Sequence, residues 1–219
     1  MLPCAKSIAQ EEILEDFSSY KKGKIPEDGW KSRNGDPHRF YSIDVDGQNQ
    51  FLRAHDINSS IQLFRAKGWN MSEKHVFSWR WRVNTFPKGA NELKGPNDSA
   101  AGVYVVFPNR WFVPEAIKYI WSEKLAVGTV IRKNERFPTI VIRSGTDHQG
   151  KWITEQRDVY KDFQTLFGRT ASKVIAFGVL TDSNATQSEA AADYDDFKAS
   201  KEMFVPDSPA TPIKPEDKK

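Results

Sequence analysis

Two arginines stand two residues apart in the run Ser78-Trp79-Arg80-Trp81-Arg82. Successive side chains of an extended strand leave opposite faces, so Arg80 and Arg82 share one face while Trp79 and Trp81 share the other. A guanidinium is a planar fork that donates paired hydrogen bonds to carboxylates or hydroxyls and stays charged. The pattern fits a concave face that grips an anionic or polyhydroxylated ligand. It equally fits an aromatic core strand backed by solvated arginines. Two like charges about 7 Å apart on one face call for an acid, water or a ligand. Asp98, Glu155 and Asp182 are the expected acids, at the rim of the main pocket.

A second group is Gly95-Pro96-Asn97-Asp98-Ser99-Ala100-Ala101-Gly102, which runs straight into an apolar strand. Polar turn residues at the rim of a sheet are either loop chemistry or binding groups, which makes Asn97 and Asp98 candidates. A third group is acidic: Glu15-Asp16-Phe17 near the start, Asp182 and Asn184, then Asp193-Tyr194-Asp195-Asp196-Phe197. If the first and last strands pair, Glu15, Asp182, Asp195 and Asp196 could converge on a structural calcium, which takes about six to eight oxygens. Otherwise they are edge charges that block strand-to-strand aggregation. Sugar rings stack on aromatic faces, and Tyr104, Tyr119, Trp121 and Trp152 are the aromatics that could do this, unless they fill the core. Arg143, Glu155 and Arg157 are the remaining polar candidates for a ligand.

Other chemistry is missing from the sequence. There is no Gly-x-Ser-x-Gly, His-Glu-x-x-His or Gly-x-Gly-x-x-Gly and no phosphate-binding loop. The histidines at 38, 55, 75 and 148 have no ligand spacing. Asp44-x-Asp46-Gly47 lacks the glycine and glutamate positions of a calcium loop. A single cysteine excludes an intramolecular disulfide. No run approaches the roughly 18 apolar residues of a membrane-spanning helix. The net charge of +3 is spread along the chain, which argues against nucleic acid.

The elements that must hold these groups are mostly strands. Of the 219 residues, 14 Phe, 7 Trp and 6 Tyr can build a core despite only 38% hydrophobic residues. Period-two alternation predicts a strand over 74–84, with Phe77, Trp79, Trp81 and Val83 inward. Shorter strands are expected over 40–45, 50–55, 61–66, 101–107, 117–121, 139–143, 151–157, 174–180 and 193–199. Asp46-Gly47 is a hairpin signal. Residues Val103, Val105, Ile175, Phe177 and Val179 are expected in the core. One helix is predicted over 158–167, stopped by Gly168, and one further helical turn over 188–192. The result is an all-β fold, an antiparallel jelly-roll β-sandwich with one short helix, spanning 11–200. Prolines at 206, 209, 212 and 215 predict a disordered Pro-rich tail over 205–219. Residues 1–10 form a lead; Ser7-Ile8-Ala9 has the spacing read by a signal peptidase, so the lead is either the remnant of an export signal or a frayed end.

The co-linear order Asp98-Ser99-Ala100-Ala101-Gly102 through Phe107, Ile117 to Ser122, Val141 to Gly145, Trp152 with Glu155 and Arg157 to Val159, Asp162-Phe163, Phe167-Gly168, Leu180 to Thr186, and Asp193 to Phe197 resembles the bacterial domain of unknown function 3047. Asn184 stands where that family often has a further carboxylate. The resemblance implies an exported bacterial protein and supplies no catalytic residues. The opening Glu15-Asp16-Phe17 and closing Tyr194 to Phe197 are also similar to galactose-binding-type sandwiches, in which the chain ends meet around a structural calcium.

The expected function is therefore a non-catalytic, exported module that binds a glycan or similar polar ligand, in the periplasm or secreted, with a cytoplasmic location the alternative. One alternative is a sandwich-fold glycoside hydrolase using Asp98 and Glu155, whose carboxyls would lie about 5–9.5 Å apart, or a polysaccharide lyase in which Arg80, Arg82 and Arg143 neutralise an acid sugar. Another is a structural envelope protein.

Overall fold

The strand with the strictest alternation organises the molecule. A computed structural model describes residues 11–26, 28–109 and 113–204. The expected lead (1–10) and Pro-rich tail (205–219) lie outside the described residues. In chain order the strands are β1 (Glu12–Glu15), β2 (Trp30–Arg33), β3 (Tyr41–Asp46), β4 (Asn49–Ile57), β5 (Gln62–Arg65), β6 (Trp69–Asn70), β7 (Val76–Thr85), β8 (Ala101–Phe107), β9 (Glu115–Ser122), β10 (Val130–Ile131), β11 (Thr139–Ser144), β12 (Ile153–Asp158), β13 (Lys173–Val174), β14 (Ala176–Leu180) and β15 (Glu189–Ser200). One α-helix, α1 (Val159–Phe167), follows β12 directly.

Two sheets face each other. The first runs β12-β7-β15-β4-β3, with β1 also paired to β15. The second runs β10-β11-β9-β8-β14-β5-β2. The chain passes repeatedly from one sheet to the other, as in a jelly roll. One pair departs from the antiparallel expectation: β11 lies parallel to β9.

Phe77, Trp79, Trp81 and Val83 are fully buried between the sheets. Trp79 meets Tyr119 and Trp81 meets Trp121 across the interface, at 5.6 and 5.9 Å between ring centroids. Phe77 touches Trp69, Phe177 and Phe197. Burying a ring removes roughly 150–250 Å² from water, an upper contribution of about 4–6 kcal/mol each before conformational entropy is subtracted.

The turns follow their chemistry. β3 and β4 form the expected hairpin, with Gly47 at φ 63°. Asp158 caps α1 by accepting from the Lys161 amide at 3.0 Å, and Gly168 ends the helix in the left-handed region. Two expectations are corrected. Residues 188–192 do not form a helical turn; Glu189 opens β15, whose pairing with β4 outweighs local propensity. The strand expected over 174–180 breaks into β13 and β14, and Ile175 at the break is 37% exposed rather than buried.

Candidate functional site

The outer face of the first sheet carries the arginines, and its charges are paired by strand register. Arg82 of β7 and Arg53 of β4 flank Asp193 of β15 in one row across three strands. Asp193 is fully buried and accepts from Arg53 Nε at 3.0 Å, Arg82 Nε at 2.8 Å and Asn84 Nδ2 at 2.9 Å. Arg53 also pairs with Asp44. Arg80 donates to Asp195 at 2.6 Å and to Asn49, and its Nε stands 2.8 Å from Asp196 as an ion pair without a hydrogen bond. Trp152 lies against both arginines, with guanidinium carbons 4.8 and 4.7 Å from its ring centroid, and Phe51 packs edge-on against it. Each of these arginines has a carboxylate in contact, although Arg80 Nε makes no hydrogen bond.

The expected partners of Arg80 and Arg82 are therefore corrected: neither arginine pairs with Asp98, Glu155 or Asp182, because β15 supplies nearer acids. Glu155 sits on the inward side of edge strand β12, where it accepts from Trp81 Nε1 at 3.3 Å and pairs with Arg143. Arg157 forks onto Asp162, which also accepts from Tyr119 Oη at 2.8 Å. Tyr119 and Trp121 are fully buried, so they pack the core and cannot meet a ligand. Asp98 is fully buried too and staples the loop at the amides of Ala185 and Thr186. Asp98 and Glu155 thus serve separate partners, and no carboxylate pair for hydrolysis is assembled from them.

The proposed calcium ligands do not come together either. β1 does pair with β15, as the chain-end argument expected. Glu15 nevertheless turns inward, accepting from Trp30 Nε1 at 3.0 Å and pairing with Arg65 at 2.7 Å. Asp182 accepts from the Ser99 amide at the other sheet, and Asp195 and Asp196 are held by Arg80. No cluster of three metal-ligating side chains occurs among the described residues. These residues do not fit a shared cation.

The outer face of the second sheet is built differently. One row crosses five strands: Lys31 of β2, Phe64 of β5, Gly178 of β14, Tyr104 of β8 and Lys118 of β9. Gly178 is required there, because a Cβ would fall 2.4 Å from Phe64 Cδ1 and 2.7 Å from Leu63 O. Its missing side chain lets Phe64 and Tyr104 approach to 5.5 Å at a 51° tilt. Gly102 makes similar room for Lys118, whose Cε would lie 2.7 Å from an added Cβ.

A groove of about 550 Å³ opens over this row. Its floor is Phe64, Tyr104, Val106, Ala116 and Ala176; Arg33 and Asn34 stand on one side, Asn134 and Phe137 on the other. A second cavity of about 180 Å³ shares Tyr104, Asn134 and Phe137 and extends past Lys118 to Asn97 and Glu92. Of the sequence candidates, Asn97 and Tyr104 line it. Gln62 Nε2 donates to Tyr104 Oη at 3.3 Å, while the buried Gln62 Oε1 has no hydrogen-bond partner among the described residues. A buried orphan acceptor beside a mostly apolar groove calls for a partner, such as a water or, after a side-chain shift, a ligand hydroxyl.

Electrostatics at the floor are internally balanced. Burial opposes the Lys118 charge, but Tyr104, Asp182, Glu92 and Asp98 outweigh it and raise the Lys118 pKa. Burial raises Asp182 to about 6, against the pull of Lys118 and the Ser99 amide. Burial also raises the Tyr104 hydroxyl above its usual value, which keeps it a neutral donor.

Sequence reasoning noted Tyr104 by type but missed Phe64, Gln62 and Phe137. The available signal was the alternation of 61–66, which sends Phe64 outward beside an inward Leu63.

Fold and faces define a two-sheet β-sandwich with one aromatic groove on its outer surface. The chain belongs to the family described as Protein of unknown function (DUF3047), which it matches over residues 28–198. No curated protein matches it in sequence. Solved structures with a similar architecture include the family 11 carbohydrate-binding module of the cellulosomal cellulase Lic26A-Cel5E of Clostridium thermocellum, at TM-score 0.46 and 10% identity over 88% of this chain and 95% of that one. A mannan-recognising carbohydrate-binding module has TM-score 0.37 and 15% identity over 89% of this chain and 100% of that one. A cellulase derived from Cel12A of Rhodothermus marinus has TM-score 0.40 and 11% identity over 78% and 96%. The likeness is one of layer architecture.

Proposed function

We propose that the chain is a non-catalytic, exported module that binds a glycan in the groove over Phe64, Tyr104 and Phe137. The observation that carries this is the combination of tilted rings on a rigid sheet with the unpartnered Gln62 Oε1 among them. A sugar ring offers an apolar C–H face for the aromatics and hydroxyls for Gln62, the Tyr104 hydroxyl, Asn34 and Asn134. Pockets of this kind fix orientation with a few polar groups on an otherwise apolar lining. A periplasmic or secreted location accompanies that ligand and is checked by cell fractionation.

Calorimetry and affinity electrophoresis against soluble polysaccharides test the site. Phe64→Ala should weaken binding by about 1–2 kcal/mol, the scale of a modest aromatic anchor. Arg80→Ala should leave binding unchanged. Binding lost in Arg80→Ala but kept in Phe64→Ala would move the site to the opposite face, and failure to bind any saccharide would remove the reading.

A further inference from the structure

The walls of the groove carry a charge that its floor does not need. On one side, residues 31–39 hold Lys31, Arg33 and Arg39 against a single acid, Asp36. On the other, residues 132–136 hold Arg132, Lys133 and Arg136 against Glu135. Glu135 is engaged by Arg132, and Asp36 by the amide of His38. Lys31, Arg33, Lys133 and Arg136 make no ion pair among the described residues. Arg33 lines the groove itself, Lys133 lines the adjoining cavity, and Arg136 lies 5.6 Å from the centroid of the Phe137 ring.

Lys118 is not part of this surplus, because it is buried and Tyr104, Asp182, Glu92 and Asp98 already favour its charge. The outer face of the first sheet differs: Arg53, Arg80 and Arg82 each have a carboxylate in contact. Uncompensated cations on both sides of a cleft raise the local concentration of anions and select against neutral ligands of the same shape.

We infer that the groove takes an anionic polysaccharide, with sugar rings on the Phe64–Tyr104–Phe137 floor and carboxylates or sulfate esters against the Arg33 and Lys133–Arg136 walls. This inference rests on the groove being the glycan site. It adds the ligand's charge, which the floor alone does not specify.

Matched polymers separate the two. Carboxymethylcellulose and hydroxyethylcellulose share a backbone and differ in charge; dextran sulfate and dextran do the same for sulfate esters. The full chain should bind at least one charged polymer about tenfold more tightly than its neutral counterpart, and should lose most of that preference between low and high salt. The double variant Arg33→Gln, Lys133→Gln replaces exposed side chains and should abolish the preference without changing the melting temperature. Phe64→Ala should weaken binding to charged and neutral polymers alike. Whichever charged polymer is preferred tells carboxylate from sulfate. Equal binding of charged and neutral polymers that still requires Phe64 would overturn the inference and leave glycan binding standing. Charged-polymer binding untouched by the double variant would also overturn it. No binding to any of the four would overturn both.

Discussion

The two outer faces of this sandwich start from similar materials and reach opposite ends. Each presents basic and aromatic side chains in rows set by strand register. On the first sheet the rows alternate in sign, so Asp193 of β15 falls between Arg82 of β7 and Arg53 of β4, and Asp195 falls opposite Arg80 of β7. The aromatics Trp152 and Phe51 then cover the guanidinium groups. On the second sheet a glycine falls between the aromatics of the central row, and the basic residues stand on the walls. Arginines and tryptophans side by side are therefore no sign of a binding surface. What sets the second face apart is a groove that places an unpaired acceptor, Gln62 Oε1, beside an aromatic floor.

The comparison breaks most visibly at Asp193. Asp193→Ala should leave Arg53, Arg82 and Asn84 without their shared acceptor and destabilise the protein by about 3 kcal/mol. That is the low end for breaking a buried ion pair, because Arg53 keeps 40% of its side chain exposed to water. Glycan affinity of the folded variant should not change. A loss below about 1 kcal/mol in urea unfolding, the value of an ordinary surface pair, would mean the row is ornamental.

On the second sheet the corresponding position is Gly178. Gly178→Ala places a methyl group against Phe64 and the Leu63 carbonyl, which should cost about 2 kcal/mol as overpacking. Unlike the Asp193 change, it should also weaken glycan binding, since the Phe64 ring must move. Unaltered affinity in a destabilised Gly178→Ala would separate the groove from the function.

A smaller effect sharpens the contrast through pH. Burial lifts Asp195 to about 6 from an unfolded value of 3.8, despite donors from Arg80 and Asn49. Between roughly pH 4 and pH 6 the folded state then binds more protons than the unfolded state, so stability falls as pH rises through that window and levels off above it. Asp195→Asn lacks this titration. The wild type's stability relative to Asp195→Asn should decline from pH 4 to pH 6 in parallel denaturation series; a pH-independent difference would contradict the assignment.

Strands were legible wherever burial alone dictated the pattern. The alternation in 74–84 placed Trp79 and Trp81 correctly, and Asp158 with Gly168 bounded α1 to within a residue. Pairing between distant strands was not legible. Arg80 and Arg82 meet acids more than 100 residues later because β7 lies beside β15, and nothing in either segment states that adjacency. Phe64 and Tyr104 become neighbours only because β14 inserts Gly178 between them. The residue types that could bind sugar were visible one by one; the row that makes a floor of them is a property of sheet order.

The pairing of β1 with β15 also has a mechanical consequence. Glu12 lies opposite Ala199 and Glu15 opposite Phe197, so the chain enters and leaves this ladder at the same end. Tension applied through residues 11 and 201 therefore pulls the pair apart rung by rung, as a zipper, instead of shearing all its hydrogen bonds at once. The first rungs to open are those at Glu12, half-buried and paired with Lys74, and the exposed Ile13, and the last is Glu15, anchored by Arg65 and Trp30. In single-molecule stretching, β1 should peel away in an early low-force step that precedes rupture of the sandwich; one rupture without that step would show that the anchor at Glu15 governs the whole edge.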